Sequence, residues 1–181
     1  MMSKGIPRAC VFAGLAVLLV TVAVAAKDRF TVVAANGIAF SEFRGYDTWQ
    51  PVAPSRADDG LKVIVANPVM INAYREGAPG NGKHFPDGSM LAKIEWREKK
   101  NPQSPYSAMV PDTLKRVGLM VKNSKRFPDT DGWGYAQFEY DAASDSFTPE
   151  ESDSSFGKRL CHQCHALVKP KDFVFTAYPM R

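Results

Sequence analysis

The run Cys161-His162-Gln163-Cys164-His165, close to the C-terminus, constrains this chain more than any other feature. Two thiols one helical turn apart can add across the two vinyl groups of a porphyrin, and the next imidazole then lies under the iron. Cys161 and Cys164 are therefore read as the attachment points of one covalently bound haem c, and His165 as its proximal iron ligand. The alternatives are two stray cysteines beside a surface histidine, or half of a zinc site. Zinc asks for two further ligands, and only His84 and His162 remain as conventional candidates downstream of residue 26.

The N-terminus supports the haem reading independently. Lys4 and Arg8 precede an apolar run at 9–24, and the small residues Ala25-Ala26 close it. That is the order of a secretory signal peptide with its cleavage site. A retained membrane anchor is the alternative, because the run at 10–26 approaches the lower limit for a span. Cleavage after Ala26 is the reading adopted, so the expected compartment is the periplasm and Cys10 leaves with the signal. The expected organisation is a signal peptide at 1–26 and a single haem domain at 27–181, long enough for a core of its own. Loss of Lys4 and Arg8 lowers the formal charge from +4 to +2, and no cluster argues for nucleic acid.

Between Pro/Gly/Asn-rich stretches at 81–88 and 99–111, read as loops, the apolar period is mainly two. LKVIVA at 61–66, MLAKIEWR at 90–97, RVGLMV at 116–121 and WGYAQFEY at 133–140 are strand candidates. In the second, Met90, Ala92, Ile94 and Trp96 share one face, and Leu91, Lys93, Glu95 and Arg97 the other. Asn67 before Pro68 predicts a helix start that Gly77 closes. Thr148-Pro149-Glu150-Glu151 carries a capping-box signature, which predicts another helix start. A further helix is expected to carry the haem cysteines and to stop before Pro170. The strand-like segments exclude a four-helix haem bundle, which needs long runs of period 3.6. The fold class expected is α+β: a curved antiparallel β-sheet with a few helices, the haem held on a C-terminal helix against the sheet.

Several segments, in order, resemble the cytochrome P-460 family, which includes the β-sheet cytochromes c′. They are Asn67-Pro68, then Phe85-Pro86-Asp87-Gly88 leading into the strand with Lys93, then Lys122-Asn123-Ser124-Lys125-Arg126-Phe127 followed by Gly132-Trp133. The haem motif follows, with Asp172-Phe173-Val174-Phe175-Thr176 and Tyr178-Pro179 behind it. The resemblance implies a covalent bond from the side-chain nitrogen of Lys93 to the porphyrin rim, beside the two thioethers. It also implies a homodimer. Two positions depart from the members that oxidise hydroxylamine. Gly118 stands where they carry a distal glutamate, and Lys62 where they carry arginine. Glu95, two residues from Lys93 on the same strand face, is the candidate substitute for the missing proton acceptor.

These readings lead to an exported monohaem c-type cytochrome whose sixth iron position is open or water-filled. Its expected role is oxidoreduction of a small nitrogen species, hydroxylamine or nitric oxide, with electrons passed to a soluble redox partner protein. Lys93 and Glu95 are the candidate catalytic residues. Non-enzymatic gas binding and simple electron transfer are the rival roles; Lys93 favours the first role, and Gly118 favours gas binding. His84 is expected in solvent and His162 pointing outward from the motif. Trp49, Trp96 and Trp133 are expected in the core or at the haem edge, and Met109 and Met120 as packing.

Overall fold

A computed structural model describes residues 28–57, 60–150 and 153–180; the expected signal segment at 1–26 lies outside them. Six strands form one antiparallel meander in chain order: β1 Gln50–Ala57, β2 Gly60–Ala66, β3 Met90–Lys100, β4 Met109–Lys122, β5 Trp133–Asp141 and β6 Ser146–Pro149. Every strand pairs with its sequence neighbour, the arrangement that short connections favour. Register shifts at Pro51/Ala53, Glu95/Trp96 and Trp96/Glu98 bend the sheet, as bulges do. The α+β class and the curved antiparallel sheet stand as read from the sequence.

Both faces of the sheet are covered. Ala92 and Ile94 of β3 join Val65, Val117, Leu119, Ala136 and Phe138 on one face. Three short 3₁₀ turns between Arg29 and Thr48 close this side with Phe40, Phe43 and Tyr46. Phe40 stacks on Phe138 at 4.9 Å and meets Phe147 edge-on at 4.6 Å. The other face carries Ile64, Ala66, Leu91, Met120, Trp133 and Tyr135, packed against α1, Pro68–Arg75, and the C-terminal segment. Trp133 is fully buried on this side, whereas Trp49 and Trp96 pack against the first cluster.

Three local expectations are corrected. Thr148 and Pro149 lie in β6, because Ser146–Pro149 pairs with β5 and the strand ladder outweighs the capping signature. The loop expected at 99–111 is shorter, since β3 runs to Lys100 and β4 starts at Met109, with Lys99 paired to Val110. The haem segment is not one α-helix. Wide turns at Gly157–His162 pass into a single α-helical turn at Gln163–His165, then a 3₁₀ stretch at Ala166–Lys171. Val168, with φ −117° and ψ 31°, breaks the ladder before Pro170, so the missing proline N–H removes no helical bond there.

The start of α1 is fixed as its sequence predicts. Asn67 Oδ1 accepts from Met70 N–H and from Met90 N–H, both at 3.1 Å, and its Nδ2 donates to the Gly88 carbonyl at 2.8 Å. One buried amide thus caps the helix and pins the loop entering β3, the strand that bears Lys93. Asn67→Ala is expected to destabilise the protein by about 2–3 kcal/mol, a cap plus two orphaned backbone groups. Urea denaturation of the two proteins checks the figure.

Candidate functional site

The inner face of the sheet is ordered in rows that follow from the strand register. Ala66, Leu91, Met120 and Tyr135 are successive partners across β2 to β5 and form an apolar row. Next to it runs Ile64, Lys93, Gly118 and Gln137. The third row is Lys62, Glu95, Arg116 and Glu139, alternating in charge from strand to strand. Directly opposed unlike charges stabilise a sheet, so the third row is a cross-strand ion-pair ladder.

A cavity of about 420 Å³ lies over the first two rows, within the range usual for cofactor and small-molecule sites, ~300–1,000 Å³. Its floor is Ile64, Leu91, Lys93, Gly118, Met120, Tyr135 and Gln137, and Lys62 stands at its charged end. The C-terminal segment closes it with Cys161, Cys164, His165, Val174 and Phe175. Lys93, Cys161, Cys164 and His165, chosen from distant parts of the sequence, therefore meet around one cavity.

Gly118 has a physical reason. A Cβ there would stand 3.3 Å from Lys93 Cε and 3.8 Å from Gln137 Oε1. The absent side chain lets the Lys93 methylenes lie flat across β4 into the cavity. The Lys93 amine is half-buried, and burial lowers its pKa; nearby Lys62 and Arg116 push the same way while Glu95 opposes them. A lowered pKa raises the share of neutral, nucleophilic amine.

The chemistry of the donor set fits a c-type haem. Cys161 and Cys164 are thiols outside any disulfide. His165 Nδ1 lies 2.7 Å from the Phe173 carbonyl oxygen. A carbonyl only accepts, so the proton sits on Nδ1 and the lone pair remains on Nε2, the tautomer a metal requires. Burial lowers the His165 pKa, with the Phe173 hydrogen bond opposing it, and so favours the neutral ring. A zinc site lacks completing ligands: among the described residues no three His, Cys, Asp or Glu side chains cluster to hold a metal ion.

Glu95 sits beside the cavity without lining it. Its side chain is 3% exposed and lies 3.2 Å from Arg116, 3.4 Å from Lys115, 3.6 Å from Lys62 and 4.0 Å from Lys93. Burial raises its pKa, but the Arg116 hydrogen bond and the surrounding cations outweigh burial and hold it below the ordinary value. The carboxylate is thus held ionised, hydrogen-bonded by Arg116 at Oε1 and flanked by Lys62 and Lys93 at Oε2. A strand face that reads as polar in the sequence therefore carries a buried carboxylate ringed by four partly exposed cations.

Other residues differ from expectation as well. His162 is not directed outward. It stacks on Phe173 at 4.9 Å, with Nδ1 3.3 Å from Tyr135 Oη and Nε2 3.4 Å from Asp131. His84 is largely exposed, as expected, yet its Nδ1 donates to Asp172 at 2.9 Å. Met120 lines the cavity, whereas Met109 is exposed. Tyr135 and Gln137 were not singled out as site residues; their signal was the alternation of WGYAQFEY, which puts both on the inner face.

Glu95→Gln leaves the cations around position 95 uncompensated. The expected cost is about 1–3 kcal/mol at neutral pH, less than the ~3–5 of a fully buried pair because the cations reach water. A carboxylate with a depressed folded pKa stabilises above its unfolded value, near 4.5, and loses that contribution as pH falls through the folded value. Urea denaturation across pH should therefore show the gap between parent and variant narrowing below about 4.5.

The geometry agrees with the comparison to known proteins. No curated protein matches the chain. The cytochrome P460 family profile matches residues 20–176, which include all six strands, Lys93, both cysteines and His165. The chain belongs to the cytochrome P460 family.

Proposed function

We propose that this protein is an exported monohaem c-type cytochrome that oxidises a small nitrogen species, hydroxylamine or a close relative. In this reading it works in the periplasm as a homodimer and passes electrons to a soluble redox protein. The observation that carries it is the path of Lys93 across Gly118 into the cavity shared with Cys161, Cys164 and His165.

The residues divide the work by position. Cys161 and Cys164 would tether the haem, and His165, with its proton on Nδ1, would offer Nε2 to the iron. A haem held there would supply redox chemistry and a metal that takes a small ligand. Lys93 would supply a third tether at the porphyrin rim, where a C–N bond replaces one rim C–H and one amine N–H and the two electrons pass to an oxidant of the peroxide class; burial favours the neutral amine that such a bond needs. Leu91, Met120, Val174 and Phe175 make part of the cavity wall apolar. Lys62, Gln137, Ser55 and Thr176 are among the polar residues that line the cavity and could orient a ligand. Hydroxylamine must shed protons as well as electrons, yet among the described residues no carboxylate lines the cavity. Glu95 is committed to its four cations, so it is a positioning charge for Lys93 and Lys62 rather than a proton acceptor.

This last point favours a second reading, nitric oxide binding without turnover. Kinetics separates the two. In the first reading the native protein reduces an artificial electron acceptor slowly with hydroxylamine. Gly118→Glu then raises the rate by at least tenfold, since a placed proton acceptor is worth about 10²–10⁴. Lys93→Ala returns an ordinary c-haem spectrum and releases the Lys93 peptide from the haem peptide on proteolysis. Nitric oxide binding with no hydroxylamine turnover in either protein would leave gas binding as the function. Fast native turnover would refute the role given to position 118.

A further inference from the structure

The acceptor that orients His165 sits on strained backbone. Asp172 and Phe173 follow the last 3₁₀ turn with φ of +49° and +64°. Two consecutive non-glycine residues in the left-handed region cost about 1–3 kcal/mol each and persist only where their surroundings hold them. The turn they make brings the Phe173 carbonyl to 2.7 Å from His165 Nδ1.

What holds the turn is one buried carboxylate. Asp172 is 2% exposed. Its Oδ1 accepts from Lys122 Nζ at 3.0 Å and from His84 Nδ1 at 2.9 Å, and its Oδ2 accepts from Phe85 N–H at 2.8 Å. Lys122, at the end of β4, is itself buried. Its ammonium also donates to the Asp131 carbonyl at 3.0 Å and lies 4.9 Å from the Trp133 ring centre. The sheet, the loop before β3 and the C-terminal turn thus converge on Asp172. Neither Asp172 nor Lys122 lines the cavity that Cys161, Cys164 and His165 share, so neither is placed to touch a group bound there.

We infer that Asp172, held by Lys122, is a positioning residue for His165: it fixes the turn whose carbonyl accepts the imidazole N–H. The inference rests on His165 being the proximal ligand. A firm hydrogen bond at Nδ1 makes the ring a stronger electron donor, and outer partners of this kind tune a metal site. An apolar residue at 172 would satisfy burial equally well. It could not aim at Lys122, Phe85 N–H and His84 together, and directed bonds are what keep a strained turn in place.

The test measures the iron–histidine stretching band of the ferrous holoprotein by resonance Raman, together with the midpoint potential. Asp172→Asn keeps the shape of the side chain but weakens the bond to Lys122; Lys122→Met removes the cation. Both are expected to lower the stretching frequency and raise the potential, because a poorer donor favours ferric iron less. His84→Gln alters an exposed partner and should give a smaller shift in the same direction. Unchanged band and potential in a less stable Asp172→Asn or Lys122→Met protein would overturn the inference and leave the pair purely structural. If neither buried variant yields holoprotein, His84→Gln decides: a shift supports the inference and no shift overturns it. Axial ligation unaffected by His165→Ala would overturn the ligand assignment, and this inference with it.

Discussion

The pairing of Lys93 with Gly118 is the constraint on which the site depends. Side chains alternate across a strand, so a slip of one residue between β3 and β4 would send Lys93 and Glu95 to the far face and bring Ala92 and Ile94 to the cavity. The apolar packing forbids that slip. Ala92 and Ile94 are buried among Val65, Val117, Leu119 and Phe138, and the aromatic turns at Phe40 and Phe43 seal them there. A core on one face therefore sets the chemistry of the other. Asn67 and the two bulges near Glu95 and Trp96 reinforce the same register from either end of β3.

The charged row beside the cavity sets the state of the carboxylate nearest the site. A general base needs an unengaged lone pair and a pKa near the working pH. Lys62, Lys115 and Arg116 approach Glu95 within 3.6 Å, hold it ionised and lower its pKa, which moves it away from that range. Its effect on Lys93 is electrostatic. It opposes the desolvation that drives the amine towards neutrality, so Lys93 is poised between two influences rather than simply buried. The same methylenes that bring Lys93 to the cavity fill the space over Gly118. A larger residue at 118 therefore meets Lys93 Cε at once, and position and lysine must adjust together.

Much of this was legible in the sequence because local rules carried it. Period-two alternation located β2 to β5, Asn67-Pro68 located α1, and the C-x-x-C-H spacing located the thiols and His165. Other parts needed tertiary information. Nothing in residues 28–48 announced three 3₁₀ turns, since their aromatic side chains gain stability only from the sheet face they cover. The capping signature at Thr148 lost to pairing with β5. The burial of Glu95 was hidden because its partners come from three strands, and a strand read alone shows only a polar face. Asp172 gave no signal as a buried ion-pair partner, for Lys122 lies fifty residues earlier.

The two sides of the cavity are built by different physics. On the sheet side, position comes from a ladder of backbone hydrogen bonds repeated over several strands, and each side chain inherits its place from the register. On the side of the cysteines the chain has no such ladder, since only Gln163–His165 is α-helical between wide turns and a 3₁₀ stretch. Irregular backbone does not by itself fix the orientation of an imidazole, so contacts from outside the turn must. Phe173 supplies the carbonyl to His165 and stacks its ring on His162, and Tyr135 from the sheet lies 5.1 Å from His165 and hydrogen-bonds His162. The inward turn of His162, unexpected from the motif, then has a role: it ties the turn between the two cysteines to the sheet. The irregular segment borrows rigidity from the regular one.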